Sequence, residues 1–267
     1  MKAFKFGIKA AALAGLTALI SVSAMAGIAG SKHDMTPNES AMGIDTGTAE
    51  ICVFCHTPHG GTTAGGGPLW NRVALNTQTP YQSATLDGTI EMDGSPSLAC
   101  LSCHDGSQAM NTVINAPSTK ADGYNYVSTG DLMGTTSVFI PSTVAALGLD
   151  MNNDHPVSLP YAGGGITTVV DSGIVTVGTL ADPQFKTDKL NAETLGGGTA
   201  WWIDSGVAGD TAGTRQKSDL ILYARNNTDV GYVECATCHD PHDAAAVSFL
   251  RMTNNSNSQV CLACHDK

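Results

Sequence analysis

All eight cysteines of the chain fall in four C-x-x-C pairs, and a histidine directly follows every pair. C-x-x-C-H is the attachment pattern of haem c. The two intervening residues let one turn present both thiols to the vinyl groups on one porphyrin edge, and the adjacent histidine can then reach the iron. We therefore predict four covalent haem c groups with proximal histidines, held by Cys52/Cys55/His56, Cys100/Cys103/His104, Cys235/Cys238/His239 and Cys261/Cys264/His265.

Two other uses of eight cysteines have to be weighed against this prediction. An exported chain could join them as four disulfides, and C-x-x-C pairs could bind zinc, two pairs to each ion. Neither use requires a histidine after every pair. Because all four pairs carry one, the pattern favours haem at every motif.

The remaining histidines match the number of second axial ligands that four haems would need. They are His33, His59, His155 and His242, and we predict that they are the distal ligands of four bis-histidine haems. Methionine is the competing distal ligand and would raise the reduction potential. Met35, Met110, Met133 and Met151 are candidates, although each is more simply explained as an adaptable filler of apolar space.

Two of these histidines share the pattern C-H-x-P-H, namely His59 after His56 and His242 after His239. Three residues span at most roughly 10 Å, too little for the chain to round the porphyrin edge and return to the far side of the same iron. We therefore expect His59 and His242 each to serve a neighbouring haem, which would hold two rings close together.

The other two histidines lie in less constrained segments. Pro156 restricts His155 to extended conformations, which suits a loop that presents an imidazole, and Asp154 could orient the ring. His33 lies close to the start of the predicted mature chain, in an arm expected to be mobile. A solvated surface histidine is the alternative at both positions.

The first 26 residues have the order of a secretory signal: a basic start, an apolar run and the small-x-small site Ala24-Met25-Ala26. The apolar run is short for a membrane span, and no later stretch approaches the roughly 20 apolar residues required. Loss of this segment moves the net charge from −11 to −14, because it carries three lysines and no acidic residue. Nucleic acid and anionic lipid are therefore improbable partners.

The remaining chain divides by the position of its motifs. Glycine is frequent and aromatic residues are few, so haem would supply apolar mass that side chains do not. We predict a multihaem cytochrome c that is mostly coil, with short helices at the motifs and a β-hairpin in the middle region, at Ile166–Val170 and Ile174–Val177. Leu220–Tyr223 is a further candidate strand. The predicted divisions are a signal peptide (1–26), a segment with motifs one and two (27–120), a haem-free insertion (121–230) and a doubled segment with motifs three and four (231–267).

The doubled unit at residues 235–265 resembles the doubled C-x-x-C-H multihaem cytochromes. The wider arrangement is similar to the tetrahaem subunits of extracellular cytochrome filaments of the OmcE type. The features that match are the early Ser-Lys-His-Asp-Met, the Cys-Val-Phe-Cys-His-Thr-Pro-His-Gly segment, the Asp-His-Pro-Val loop and the terminal doubled unit. This resemblance implies a continuous row of bis-histidine haems and a distal histidine exchanged between neighbouring subunits, for which His33 or His155 would be the candidate. Such head-to-tail exchange produces an open filament.

Complete bis-histidine ligation leaves no open iron position, so we expect an electron carrier rather than an enzyme. The expected partners are further copies of the chain and redox proteins or extracellular acceptors, and the expected location is extracellular or at the cell surface, alternatively periplasmic. A multihaem reductase would need one five-coordinate iron. It would arise if one of the four remaining histidines were not a ligand.

Overall fold

The computed structural model describes residues 27–36, 48–62, 67–116, 131–132, 137–142, 145–168, 175–195, 198–225, 230–253 and 258–266. The predicted signal segment therefore lies outside the described residues. Within the described ranges, no helix is long and apolar enough to cross a membrane.

Short helices form at three of the four motifs. Helix α1 (Ser97–His104) contains motif two, α2 (Cys235–Cys238) spans the two cysteines of motif three, and α3 (Gln259–Cys264) contains the cysteines of motif four. Motif one is a series of turns instead. Two 3-10 turns, η1 (Tyr161–Gly163) and η2 (Val247–Phe249), complete the helical elements of the described chain. The prediction of short helices at the motifs is thus confirmed at three of them.

A five-stranded antiparallel sheet is the largest regular element of the described chain, with the strand order β3-β9-β8-β7-β6. Its strands are β3 (Leu159–Pro160), β6 (Leu190–Leu195), β7 (Gly198–Ile203), β8 (Leu220–Ala224) and β9 (Gly231–Val233). Two smaller pairs join β1 (Thr112–Val113) to β2 (Asp131–Leu132) and β4 (Ile166–Thr168) to β5 (Val175–Val177).

The predicted hairpin and strand are both present. β4 and β5 pair antiparallel with Ile166 opposite Val177, and the predicted loop between them lies outside the described residues. The candidate strand at Leu220 is β8. The β6–β7 hairpin, whose register ends at Leu195 opposite Gly198, was not predicted.

The sheet buries one face against the doubled segment. Trp201, Ile203 and Leu220 are fully buried in a core cluster that also includes Met252 and Ala263, so strands of the middle region share a core with motif four. Gly231 permits this packing, because a Cβ there would lie 2.9 Å from the Cβ of Leu222. The sheet also positions site residues, since β3 begins four residues after His155 and β9 ends two residues before Cys235.

Two smaller apolar clusters lie under motifs one and two. Met35 and Met110 pack with Phe54 in one of them, and Met151 packs with Leu98 and Leu101 of α1 in the other. These methionines are buried among apolar side chains, as adaptable fillers are. Met133 lies outside the described residues.

Candidate haem sites

The cysteines of each motif are three residues apart, and all eight are free thiols. In α1, α2 and α3 this spacing places both thiols on one side of a helical turn. Free thiols presented in pairs are what two thioether bonds to one porphyrin edge require. Burial raises the pKa of Cys55 and of Cys264 to about 12.

Three proximal histidines are oriented in the same way. The Nδ1 atom lies 2.8 Å from the carbonyl oxygen of Pro68 in His56, 2.7 Å from that of Ala145 in His104, and 2.7 Å from that of Ser248 in His239. A carbonyl oxygen can only accept, so Nδ1 must donate and Nε2 keeps its lone pair. The hydrogen bond therefore selects the tautomer that binds a metal through Nε2.

Three proximal histidines also lie beside a histidine from a distant part of the chain. The ring centres are 6.1 Å apart for His33 and His104, 6.1 Å apart for His56 and His242, and 6.4 Å apart for His155 and His265. A metal ion bound by imidazole nitrogens at about 2 Å on opposite sides holds the ring centres roughly 6 Å apart. The residues present thus fit an iron ion between the two rings of each pair.

His239 is the proximal histidine that has no histidine ring beside it among the described residues. Neither His239 nor the remaining distal candidate, His59, has a ring contact with another histidine in the part of the chain that the structure describes. His59 is nevertheless held in place through its backbone, because its carbonyl oxygen accepts hydrogen bonds from Thr57 Oγ1 at 3.0 Å and Asn115 Nδ2 at 2.8 Å.

His33 is half-buried rather than part of a solvated arm. Burial, followed by the charge of His104, lowers the pKa of His33 from 6.5 to about 4. The ring also stacks on Phe249, with the ring centres 4.3 Å apart and the planes 11° apart. At neutral pH the His33 imidazole is therefore uncharged and has a lone pair to donate to a metal.

Motifs two and three are in direct contact. The thiols of Cys100 and Cys235 share a hydrogen bond, which raises the pKa of Cys100. Two groups attached at these cysteines would consequently meet at their thioether edges. Burial, with a smaller contribution from Cys103, raises the pKa of Cys55, and burial, with a smaller contribution from Cys261, raises that of Cys238. Motif one therefore lies close to motif two, and motif three lies close to motif four.

A buried polar network holds motifs two and three together, and nothing in the sequence predicted it. The Glu234 carboxylate accepts hydrogen bonds from Ser95 Oγ at 2.6 Å and Ser97 Oγ at 2.5 Å, and forms an ion pair with Arg225 at 3.2 Å. Ser97 Oγ accepts a hydrogen bond from the amide of Cys235 at 3.0 Å. The only available signal was the position of Glu234, directly before a motif.

Hydrogen bonds and a ring contact hold motif four against the middle region, through Tyr161 and the segment just before β6. The Tyr161 hydroxyl donates to the carbonyl oxygens of Lys186 and Cys264 at 2.8 and 3.2 Å, and the Lys186 amide donates to Cys264 at 2.7 Å. Phe185 contacts the His265 ring, with the ring centres 4.3 Å apart. These contacts place the motif beside the segment that presents His155.

Comparison with known families agrees with the chemistry of these motifs. A family model described as the doubled CXXCH motif matches residues 228–267, which contain motifs three and four. The match supports a multihaem c-type cytochrome family and covalent haem c binding. The comparison with curated proteins gave no match.

Proposed function

We propose that the chain is an electron-transfer protein that carries four haem c groups, one at each C-x-x-C-H motif. The observation that carries this proposal is that histidine rings from distant segments lie at a separation suited to an iron ion. In this assignment His104 is paired with His33, His56 with His242, and His265 with His155. His59 is assigned to His239 as the remaining pair.

The residues of the chain would hold haem in a defined way. The eight thiols would form the thioether bonds, and the Nδ1 hydrogen bonds would hold three of the four proximal imidazoles with Nε2 toward the iron. The haem iron, when bound, supplies one-electron chemistry between its ferric and ferrous forms. Two histidine ligands on each iron would exclude substrates and would leave electron transfer as its function.

The haem number tests the proposal directly. We expect the pyridine haemochrome assay and the intact mass of the purified protein to show four haems per chain, all low-spin in the oxidised form. A count of two, restricted to the doubled segment, would contradict it. A variant with Cys52 and Cys55 both changed to alanine should carry three haems, which controls for free or adventitious haem.

A reductase is the second candidate, and one observation favours it. Since His59 and His239 make no ring contact in the described structure, the iron at motif three is the one that could lack a second ligand. Binding of carbon monoxide to the reduced protein, at one haem in four, would support this candidate. If all four haems resist carbon monoxide, the electron carrier is favoured.

The same two residues bear on assembly, and we propose a filament subunit. In the proposed assignment, His33 and His155 are ligands within their own chain, so they are no longer the best candidates for exchange between subunits. His59 of one copy could instead ligate the iron at His239 of the next, which repeats head to tail without closing. The resemblance to filament cytochromes supports this arrangement.

Electron microscopy tests the filament. We expect filaments in the purified protein and their loss in His59→Ala, with one haem in four becoming reactive toward carbon monoxide. Lys32→Ala, a change of an exposed residue, should leave filaments intact. A monomeric protein in which all four haems are six-coordinate would contradict the exchange.

We further propose that the chain is exported and acts outside the cell or at its surface, with the periplasm as the alternative. The order of residues 1–26 supports export. Fusion of this segment to a reporter enzyme, followed by fractionation, tests it. Retention of the reporter in the cytoplasm would contradict the proposal. The expected partners remain other copies of the chain and redox proteins or extracellular acceptors.

A further inference from the structure

Arg72 is a buried cation between motifs one and two. Its side chain is 1% exposed. The preceding residue contacts motif one, because the Asn71 amide donates to the Cys55 carbonyl oxygen at 2.8 Å. The guanidinium itself contacts motif two through Ser102, which lies between its two cysteines.

Every donor of the guanidinium is used, and every acceptor is neutral. Nε donates to Ser102 Oγ at 3.2 Å, Nη1 to the carbonyl oxygens of Met110 and Thr112 at 2.7 and 2.6 Å, and Nη2 to those of Ser102 and Ala109 at 2.7 and 2.9 Å. Among the described residues, no carboxylate forms an ion pair with Arg72. All five hydrogens are thus engaged, and none remains for a haem propionate.

This charge is permanent and weakly screened. Arginine keeps its proton at any pH at which the protein is folded, and a charge inside a protein acts over a longer range than one in water. Motif two also has a buried negative charge, because Asp105 follows His104 directly, is 4% exposed and accepts a hydrogen bond from Gln78 Nε2 at 2.7 Å. The two charges therefore oppose each other at motif two.

We infer that Arg72 holds the reduction potential of the haem at motif one above that of the haem at motif two, where Asp105 offsets it. The inference rests on the proposed function. Ferric haem carries one positive charge more than ferrous haem, so a fixed cation disfavours the ferric form.

The test is a redox titration of the haem-loaded protein with dithionite, followed by electron paramagnetic resonance. Among the three histidine pairs, the motif-one pair should give a separate signal in such a titration, since the His56 and His242 planes differ by 17° and those of the other two pairs by 66° and 68°. In Arg72→Met we expect the ferrous-to-ferric ratio of this haem to fall at least tenfold at a given potential. For a one-electron couple, a tenfold fall corresponds to a reduction potential that is 59 mV lower.

Three further variants separate charge from structure. Arg72→Lys keeps the charge and should keep the potential, while Lys217→Met removes an exposed cation and should change nothing. Asp105→Asn should raise the potential at motif two, and it serves as the test if Arg72→Met fails to load haem. Three results would overturn the inference. The potential of the motif-one haem could stay unchanged in Arg72→Met, or shift equally in Arg72→Lys. The potential at motif two could stay unchanged in Asp105→Asn. Failure of the wild-type chain to bind four haems would contradict the proposed function instead.

Discussion

At the scale of single residues, the proximal histidines depend on backbone carbonyls far from their own motifs. The acceptors of His56, His104 and His239 are Pro68, Ala145 and Ser248. Each carbonyl oxygen determines which imidazole nitrogen has the proton, so loop conformation determines ligand chemistry. The site is therefore built from main-chain geometry as much as from the motif residues.

The angle between paired imidazole planes predicts the spectrum of each ferric haem. Near-perpendicular planes, as at His33/His104, leave two iron d orbitals close in energy and give a highly anisotropic low-spin signal, whereas the 17° pair gives a rhombic one. We expect His33→Ala to remove one anisotropic component and to create one carbon monoxide-reactive haem. His242→Ala should remove the rhombic component instead. Loss of the same component in both variants would contradict the pairing.

Asp210 and Asp219 form a like-charge pair beside β7 and β8. Burial, with a smaller contribution from Asp210, raises the pKa of Asp219, so its charged form destabilises the fold above that pKa. Asp210→Asn removes the repulsion and should stabilise the protein at neutral pH by about 0.5–2 kcal/mol. The gain should shrink as the pH falls through the raised pKa of Asp219 and vanish by the unfolded value of 3.8, because the protonated Asp219 carboxyl group has no charge to repel. Thermal unfolding between pH 3 and 7 measures it.

The matched control for this pair is Asp243. A hydrogen bond from Lys217 lowers the pKa of Asp243, so its charge favours the fold at neutral pH, and that contribution is lost as the pH falls through the lowered pKa. Asp243→Asn should consequently have a small effect of opposite sign. A stabilisation of similar size in both variants would contradict the repulsion.

At the scale of elements, the network around Glu234 connects helix α1 to helix α2. Removal of one partner from a buried ion pair typically costs about 3–5 kcal/mol, because the other charge stays buried without compensation. We expect Glu234→Ala to destabilise the haem-loaded protein by that amount in denaturant unfolding. The exposed pair of Lys217 and Asp243 is shorter, at 2.7 Å, yet Lys217→Ala should cost less than about 1 kcal/mol. Equal costs would contradict the burial argument.

The repeated motifs and β-branched runs predicted three helical turns, the β4–β5 hairpin and strand β8, because these depend on local spacing. The β6–β7 hairpin and the order of the sheet depend on packing around Trp201 and Trp202, which no local pattern shows. The histidine ring pairs join residues far apart in the chain. Counting histidines in the sequence could therefore identify the eight candidate ligands, but not which two form each pair. Arg72 had no signal in the sequence, because four of its five acceptors are backbone carbonyls.

At the scale of the whole molecule, the charge balance predicts how the protein meets its partners. The chain has 13 basic and 24 acidic residues, a net charge of −11. Opposite charges accelerate association at low ionic strength, and salt screens them. We expect electron transfer to a basic redox protein to slow as salt rises in stopped-flow measurements. Transfer to an acidic redox protein should quicken or stay constant, and the opposite pattern would contradict this prediction.

The pairing of His56 with His242 has a consequence for the order of maturation. In the proposed assignment, the first haem to be attached receives its second ligand only when nearly the whole chain has followed. A haem attached at motif one would have an open iron position until the segment that carries His242 is in place. A chain truncated before Pro241 should retain that state, with the motif-one haem high-spin and reactive toward carbon monoxide. In the proposed assignment, closure of the last segment would therefore be the event that protects the motif-one iron from small reactive ligands.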